Sequence, residues 1–312
     1  MKAYLTAALK IISLGIFPLM GLLMDSACAL TFPLPETGDV VGEMQTTTVR
    51  QGESLADIGR RFDVGIYEML EANPKLDPWL PPAGAIVTIP TQYILPSAAR
   101  TGMVLNLAEM RLYYFHPDKR LVTTFPVGLG KKNWSTPLGK TTITRKQKDP
   151  AWHPPASIRK EHLENGDVLP LVVAGGTPEN PLGRYALYLN TSGLADRGSF
   201  LIHGSNRPGG VGVRSSHGCI RLFPEDIESL YYLVPTGTAV RIVHEPHKIG
   251  WHNRHLYLES HQPLTETQYV GSDSLMRLTT LIDAATNNAH AVDWLNVKMT
   301  AKTANGYPVR ID

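Results

Sequence analysis

The sequence predicts a β-rich α+β protein, and three observations carry that prediction. Short runs of β-branched and aromatic residues recur between turn residues from position 103 to position 243. A separate strand–helix–helix–strand pattern over 45–91 stands ahead of them. One clear helical stripe interrupts the strands, where Pro224 suits a first turn and Ile227, Leu230, Tyr231 and Val234 share a face. With 312 residues the chain exceeds a typical single domain. Its formal charge of +2, without blocks of like charge, excludes the basic stripe that nucleic-acid binding needs.

The first 29 residues read as an export signal. Lys2 and Lys10 flank the start of an apolar run, Ile11 to Met24, which is shorter than the ~20 residues of a membrane-spanning helix. Ala27-Cys28-Ala29 fits the small-x-small cleavage rule, so the chain is expected to be exported with its mature start at Leu30. Lipid attachment at Cys28 is disfavoured by Asp25, which stands where a lipobox would have leucine. Cleavage leaves Cys219 as the sole thiol of an exported chain, hence either a reactive group or an inert core residue.

A proline-containing lead, 30–44, precedes the small unit. Thr46-Thr47-Thr48-Val49 is strand-like, Ser54 caps a helix that turns Leu55, Ile58 and Phe62 to one side, and Ile66, Met69 and Leu70 face inward from a second. Asn73-Pro74 stops that helix, and Ala85 to Pro90 returns as a strand. On Gly52-Glu53-Ser54-Leu55, Ile58, Asn73-Pro74 and Ile86-Val87-Thr88-Ile89-Pro90 the unit resembles a LysM module, which implies recognition of N-acetylglucosamine-containing glycans. Most of these residues are structural, so the glycan-contacting positions stay unassigned. A linker is expected around Tyr93–Thr101.

Beyond it, Met103–Leu107, Arg111–Phe115 and Arg120–Val127 form a meander, with Thr141–Thr144, Tyr185–Leu189, Phe200–Ile202 and Ala239–Val243 as further strands. The Thr136-Pro137-Leu138-Gly139 and Asn180-Pro181-Leu182-Gly183 echoes are turns. The chemistry concentrates in Leu201–Leu222, which holds Cys219, His203, His217 and many glycines. A thiol attacks a carbonyl as its thiolate, so it needs a base or a positive field nearby. One cysteine and two histidines could also make three zinc ligands, but no H-E-x-x-H helix accompanies them, and neither a metal nor another cofactor is expected.

His203-Gly204, a glycine-rich loop and Ser216-His217-Gly218-Cys219-Ile220-Arg221 resemble the signature of the L,D-transpeptidase (YkuD-type) catalytic domain, over 100–244. The resemblance implies a β-sandwich or barrel acting on peptidoglycan. Cys219 would attack the diaminopimelate carbonyl of a tetrapeptide stem, expel the terminal D-alanine and form a thioester that an amine resolves. His203 would be the general base, oriented by a backbone carbonyl near Gly204, and the N–H groups of His217, Gly218 and Cys219 would be the oxyanion donors. The His217 side chain either tunes the thiolate or shapes the loop. Ser216, Arg221 and Tyr185 are candidate substrate-binding residues, with holding the loop or a buried ion pair the other readings of Arg221 and core packing the other reading of Tyr185. Arg221 stands where many members have asparagine, as in the exported Gram-negative subgroup that attaches the outer-membrane murein lipoprotein to peptidoglycan.

The acceptor amine stays open between a lipoprotein lysine and a second stem; water in its place would make a hydrolase, and a non-catalytic wall-binding protein is a further reading. In 245–312, Leu256–Glu259 reads as a strand and Ser274–Ala285 as an amphipathic helix that folds back on the domain or caps the cleft. His244, His247, His252, His255 and His261 are expected to face solvent.

Overall fold

The computed structural model describes residues 29–190, 200–264, 275–287 and 289–312. The signal-like apolar run and Cys28 lie outside the described residues. The lead contributes β1 (Leu30–Pro33) and β2 (Val40–Gly42). The small unit follows as β3 (Gln45–Thr48), α1 (Leu55–Arg61), α2 (Ile66–Ala72) and β4 (Ile86–Ile89), with β3 and β4 antiparallel. Ser54 and Asp57 close a reciprocal cap on α1: the Asp57 N–H donates to Ser54 Oγ at 3.2 Å and the Ser54 N–H to Asp57 Oδ2 at 2.9 Å. The Asn73 side chain pins the end of α2 to β4 through Met69 O and both backbone groups of Thr88. A core of Leu55, Ile58, Met69, Val87 and Ile89 fills the unit.

After β5 (Gln92–Ile94), the meander β6 (Gly102–Asn106), β7 (Arg111–Phe115) and β8 (Leu121–Pro126) leads into β9 (Leu129–Gly130) and β10 (Gly139–Lys148). Then come α3 (Ala156–Glu164), β11 (Tyr185–Leu189), β12 (Leu201–His203), β13 (Arg214–Ser216), β14 (Ile220–Arg221), α4 (Pro224–Leu233) and β15 (Ala239–Val243). The main sheet has nine strands in the order β1-β8-β7-β6-β15-β10-β11-β12-β14. It curls, because Gly128, just past β8, bridges to Arg221 of β14 at the opposite edge. Its concave core contains Met103, Leu105, Leu112 and Phe125 together with Ile227 and Leu230 of α4.

The meander is buried on both faces, and this overturns the start of the expected linker and gives the lead its strands. Strands alternate their side chains, so Val104, Tyr113, Phe115 and Val122 point away from the main core and need their own cover. The lead provides it with Phe32 and Leu34, and the expected linker with Tyr93 and Leu95. Residues 92–94 are therefore a strand paired to β2, and β1 extends the main sheet against β8. Proline content masked both, since neither run is long enough to show a period.

The C-terminal segment forms β16 (His247–His252), β17 (His255–Ser260), α5 (Leu275–Thr286), α6 (Trp294–Thr303) and β18 (Val309–Arg310) around a separate core that includes Leu256, Leu258, Leu278 and Ile282. It docks beside β5 and β2, and none of its described residues lines the cleft described below, so its described part folds back on the domain. Of the five histidines expected to face solvent, His244, His247, His252 and His255 are partly buried and His261 is buried. His261 is 1% exposed, with Nε2 2.8 Å from Glu259 and Nδ1 3.1 Å from Glu71 of α2. Alongside it Lys248 Nζ donates to Ile94 O at 2.6 Å and lies 2.7 Å from Glu109 and 2.8 Å from Glu259. The ammonium takes the place that a cation would hold among Glu109, Glu259 and His261.

Lys248→Met strands two buried carboxylates and is expected to cost about 3–5 kcal/mol, read from urea unfolding. Burial pulls the His261 imidazole down, but hydrogen bonds to Glu259 and Glu71 lift it to about 10 from 6.5. A raised folded-state value stabilises fully below the unfolded one and is lost as pH climbs through the folded one. The stability gap between wild type and His261→Gln should therefore shrink from pH 6.5 to about 10, measured by unfolding at stepped pH.

Candidate active site

The parallel pairing of β12 with β14 sets Ile202 opposite Ile220 and His203 opposite Arg221, which brings the two ends of the signature to one edge of the sheet. Cys219 immediately precedes β14. It lines a cleft of about 630 Å³ with His203, Ser216, His217 and Arg221. The other wall is the long connection between β10 and β11, which includes α3. Asn180 staples that connection, its Nδ2 donating to Pro150 O at 2.8 Å and Ala174 O at 3.0 Å, while Trp152 and Val173 bridge.

His203 is 3% exposed, and its Nδ1 lies 2.7 Å from the Gly204 carbonyl. A carbonyl only accepts, so Nδ1 carries the proton and Nε2 is left as the acceptor. A Cβ at Gly204 would stand 3.0 Å from Ile227 Cγ2, a contact so tight that α4 would have to give by a few tenths of an ångström. Burial, joined by the Arg221 charge, pushes the His203 imidazole down to about 4. Burial pushes the Cys219 thiol up, with a hydrogen bond from the Leu201 backbone and the Arg221 charge pulling the other way. The thiol and imidazole are both neutral near pH 7.

The turn between β13 and β14 is closed by Ser216, whose Oγ donates to Cys219 O at 2.6 Å and accepts the Gly218 N–H at 3.2 Å. This corrects two expectations. The Ser216 hydroxyl is committed to the turn rather than to substrate, and the Gly218 N–H is occupied rather than free as an oxyanion donor. Gly218 has φ +105°, a conformation side chains rarely adopt, so glycine is needed to make the turn. The backbone N–H groups of His217 and Cys219 carry no such internal bond among the described residues.

Arg221 donates from Nη1 to Ser215 Oγ at 3.1 Å, and its buried Nε has no partner. Among the described residues it pairs with no carboxylate, so the ion-pair reading fails. Tyr185 is buried on the core face of β11; its hydroxyl donates to Glu228 of α4 at 2.8 Å and its ring packs on Tyr231 and Tyr232. It does not reach the cleft, which removes it from the substrate-binding candidates, because β11 turns Tyr185, Leu187 and Leu189 together into the core.

Sequence reasoning missed α3 and with it Glu161. Only Ile158 of that helix is buried, so no apolar stripe marks it; Pro154-Pro155 ahead of a stretch free of glycine and proline was the available signal. Glu161 Oε2 lies 2.7 Å from His217 Nε2, and its Oε1 accepts from Lys131 Nζ at 2.8 Å. The hydrogen bond from Lys131, then that from His217, draws the carboxyl down to about 2. With the Trp134 ring edge-on at 5.2 Å, the His217 side chain is held by the cleft wall.

Residues 100–242 match the L,D-transpeptidase catalytic domain and 47–90 the LysM domain. The chain is 37% identical to the probable L,D-transpeptidase YbiS of Escherichia coli (strain K12), over 97% of this chain and 99% of that protein. It is 42% identical to the probable L,D-transpeptidase YcfS of the same strain, over 77% and 75%. Among solved structures, the catalytic domain of the E. faecium L,D-transpeptidase aligns over 47% of this chain and 99% of that one, with 21% identity and a TM-score of 0.34.

Alkylation of Cys219 by iodoacetamide should keep accelerating above the ordinary thiol range. Arg221→Gln removes a charge that favours the thiolate and should slow alkylation severalfold at pH 8, followed by intact mass.

Proposed function

This chain belongs to the L,D-transpeptidase family, and we propose that Cys219 and His203 carry its reaction on peptidoglycan stems in the periplasm. The observation that supports this most is that Cys219 and the buried His203, whose Nδ1 is held by the Gly204 carbonyl, line one cleft beside an Arg221 that pairs with no carboxylate among the described residues.

In this reading a tetrapeptide stem enters with a substrate carboxylate on Arg221. As Cys219 Sγ attacks the diaminopimelate carbonyl, its proton passes to His203 Nε2, whose low basicity is offset as charge develops on the oxyanion. The His217 and Cys219 N–H groups receive that oxyanion, each such donor being worth roughly 3 kcal/mol of barrier. His203 then returns the proton to the departing D-alanine amine, leaving a thioester. An acceptor amine, for which we favour the C-terminal lysine of an outer-membrane lipoprotein, attacks in turn. The LysM domain holds the chain to glycan strands. The segment ending at Ala29 directs export and is then removed, and no described helix is long and apolar enough to cross a membrane.

Incubation with disaccharide-tetrapeptide should release D-alanine and add the acyl mass to Cys219. Cys219→Ala should abolish both, and His203→Ala should slow acylation by about 10²–10⁴-fold; full activity in Cys219→Ala would sink the assignment. Adding a lysine-terminated lipoprotein peptide should divert the thioester to that amine. Exclusive formation of 3→3 stem dimers, or of free tripeptide, would replace the lipoprotein acceptor.

A further inference from the structure

An acidic pair is buried where the LysM domain meets α4. Asp63, between α1 and α2, and Asp226, in the first turn of α4, are each 1% exposed, and burial first, then the neighbouring Asp63 carboxyl, raises the Asp226 carboxyl well above its ordinary value. Two carboxyls packed together keep at least one proton between them, so the pair carries at most one negative charge. Among the described residues, Asp63 Oδ1 and Asp226 Oδ2 have no hydrogen-bond partner.

The surrounding cations are committed elsewhere. Arg111 of β7 spends Nε and Nη2 on Glu68 of α2 at 2.8 and 3.0 Å, and it reaches only the main-chain oxygen of Asp63. Arg60 is bidentate to Glu225 at 2.9 and 3.0 Å. A buried charge without a counter-ion is costly. Burial lifts Asp63 to about 7, with Arg111 and the contact to Leu30 pulling it back.

That contact identifies the missing cation. The backbone nitrogen of Leu30 donates to Asp63 Oδ2 at 3.0 Å. Leu30 lies opposite Thr124 in the β1–β8 ladder, and Thr124 Oγ1 accepts from Arg111, so this nitrogen sits at the edge of the same charge cluster. In the sequence Leu30 is also the first residue after Ala27-Cys28-Ala29. Hydrolysis of the Ala29–Leu30 bond by a signal peptidase consumes one water, leaves a carboxylate on Ala29 and converts the Leu30 nitrogen from an amide with one N–H into an ammonium with three and a full charge.

We infer that the α-ammonium of Leu30, created by that cleavage, is the counter-ion of the Asp63–Asp226 pair. The inference rests on the export reading above. Maturation thereby ties three parts of the chain together: β1 at the sheet edge, the LysM domain through Asp63, and α4 through Asp226. The neighbouring Ile227 packs on Gly204, whose carbonyl orients His203, so the seam adjoins the base of the active site.

The test compares the full mature chain starting at Leu30, released from a fusion by a protease that leaves no extra residue, with the same chain carrying Gly-Ser in front. Each is made with and without Asp63→Asn. The extension should lower the Tm by at least about 3 °C in the native background and leave it unchanged in Asp63→Asn. Because that variant can fail to fold, the α-amine of the native Leu30 chain is also titrated by competitive acetylation and mass spectrometry. It should stay charged above its ordinary range of ~7.7–8.0. Equal Tm values for the native and extended chains together with an ordinary α-amine titration would overturn the counter-ion assignment. Sequencing the exported protein from its N-terminus should begin at Leu30; any other start would overturn the processing step instead.

Discussion

The meander β6–β8 is buried on both faces, and the architecture follows from that constraint. One face carries the core on which α4 and the strands of the cleft rest. The other presents Val104, Tyr113, Phe115 and Val122, an apolar surface that no strand of the catalytic domain can cover. The lead, β5 and the C-terminal unit are recruited to cover or flank it. What would be separate modules on a string thus becomes one interlocked body.

The joints are polar, and they concentrate on and around β7. Arg111 reaches the LysM domain through Glu68, and Tyr113 donates to Glu109, which meets Lys248 of the C-terminal unit. Such buried ion pairs add little net stability compared with apolar packing, yet breaking one leaves an uncompensated charge. Their effect is to punish any other arrangement of the domains. Glu71, on α2, completes the circuit by meeting His261.

The cleft holds Cys219 and His203 in their uncharged forms. Burial disfavours both thiolate and imidazolium, so the pair is neutral at rest. The free thiol is thereby kept less nucleophilic, and half-buried in a walled cleft. The wall is assembled from α3 and the Asn180 staple, which fixes His217 from the side opposite the sheet.

Much was legible in the residues alone. Strand and helix periods located the LysM unit, the meander and α4, because each buries one face and writes that face into the sequence. The signature around Cys219 and His203 was equally readable, since a short loop must carry its own turn chemistry. Three things were not legible. Tyr185 and Ser216 have the right chemistry for substrate binding, but whether a hydroxyl faces a cleft or a neighbouring Glu228 or Gly218 depends on strand orientation and turn closure. Glu161 lies on a helix with a single buried residue, and Asp63 meets Asp226 and Leu30 across more than 30 positions of chain in each case. The sequence by itself determined which elements form and which residue types could react, because those depend on local propensity and period. Only the tertiary structure decided which polar groups share a cleft and which are spent holding the chain together, because burial and hydrogen-bond partners are set by contacts between segments far apart.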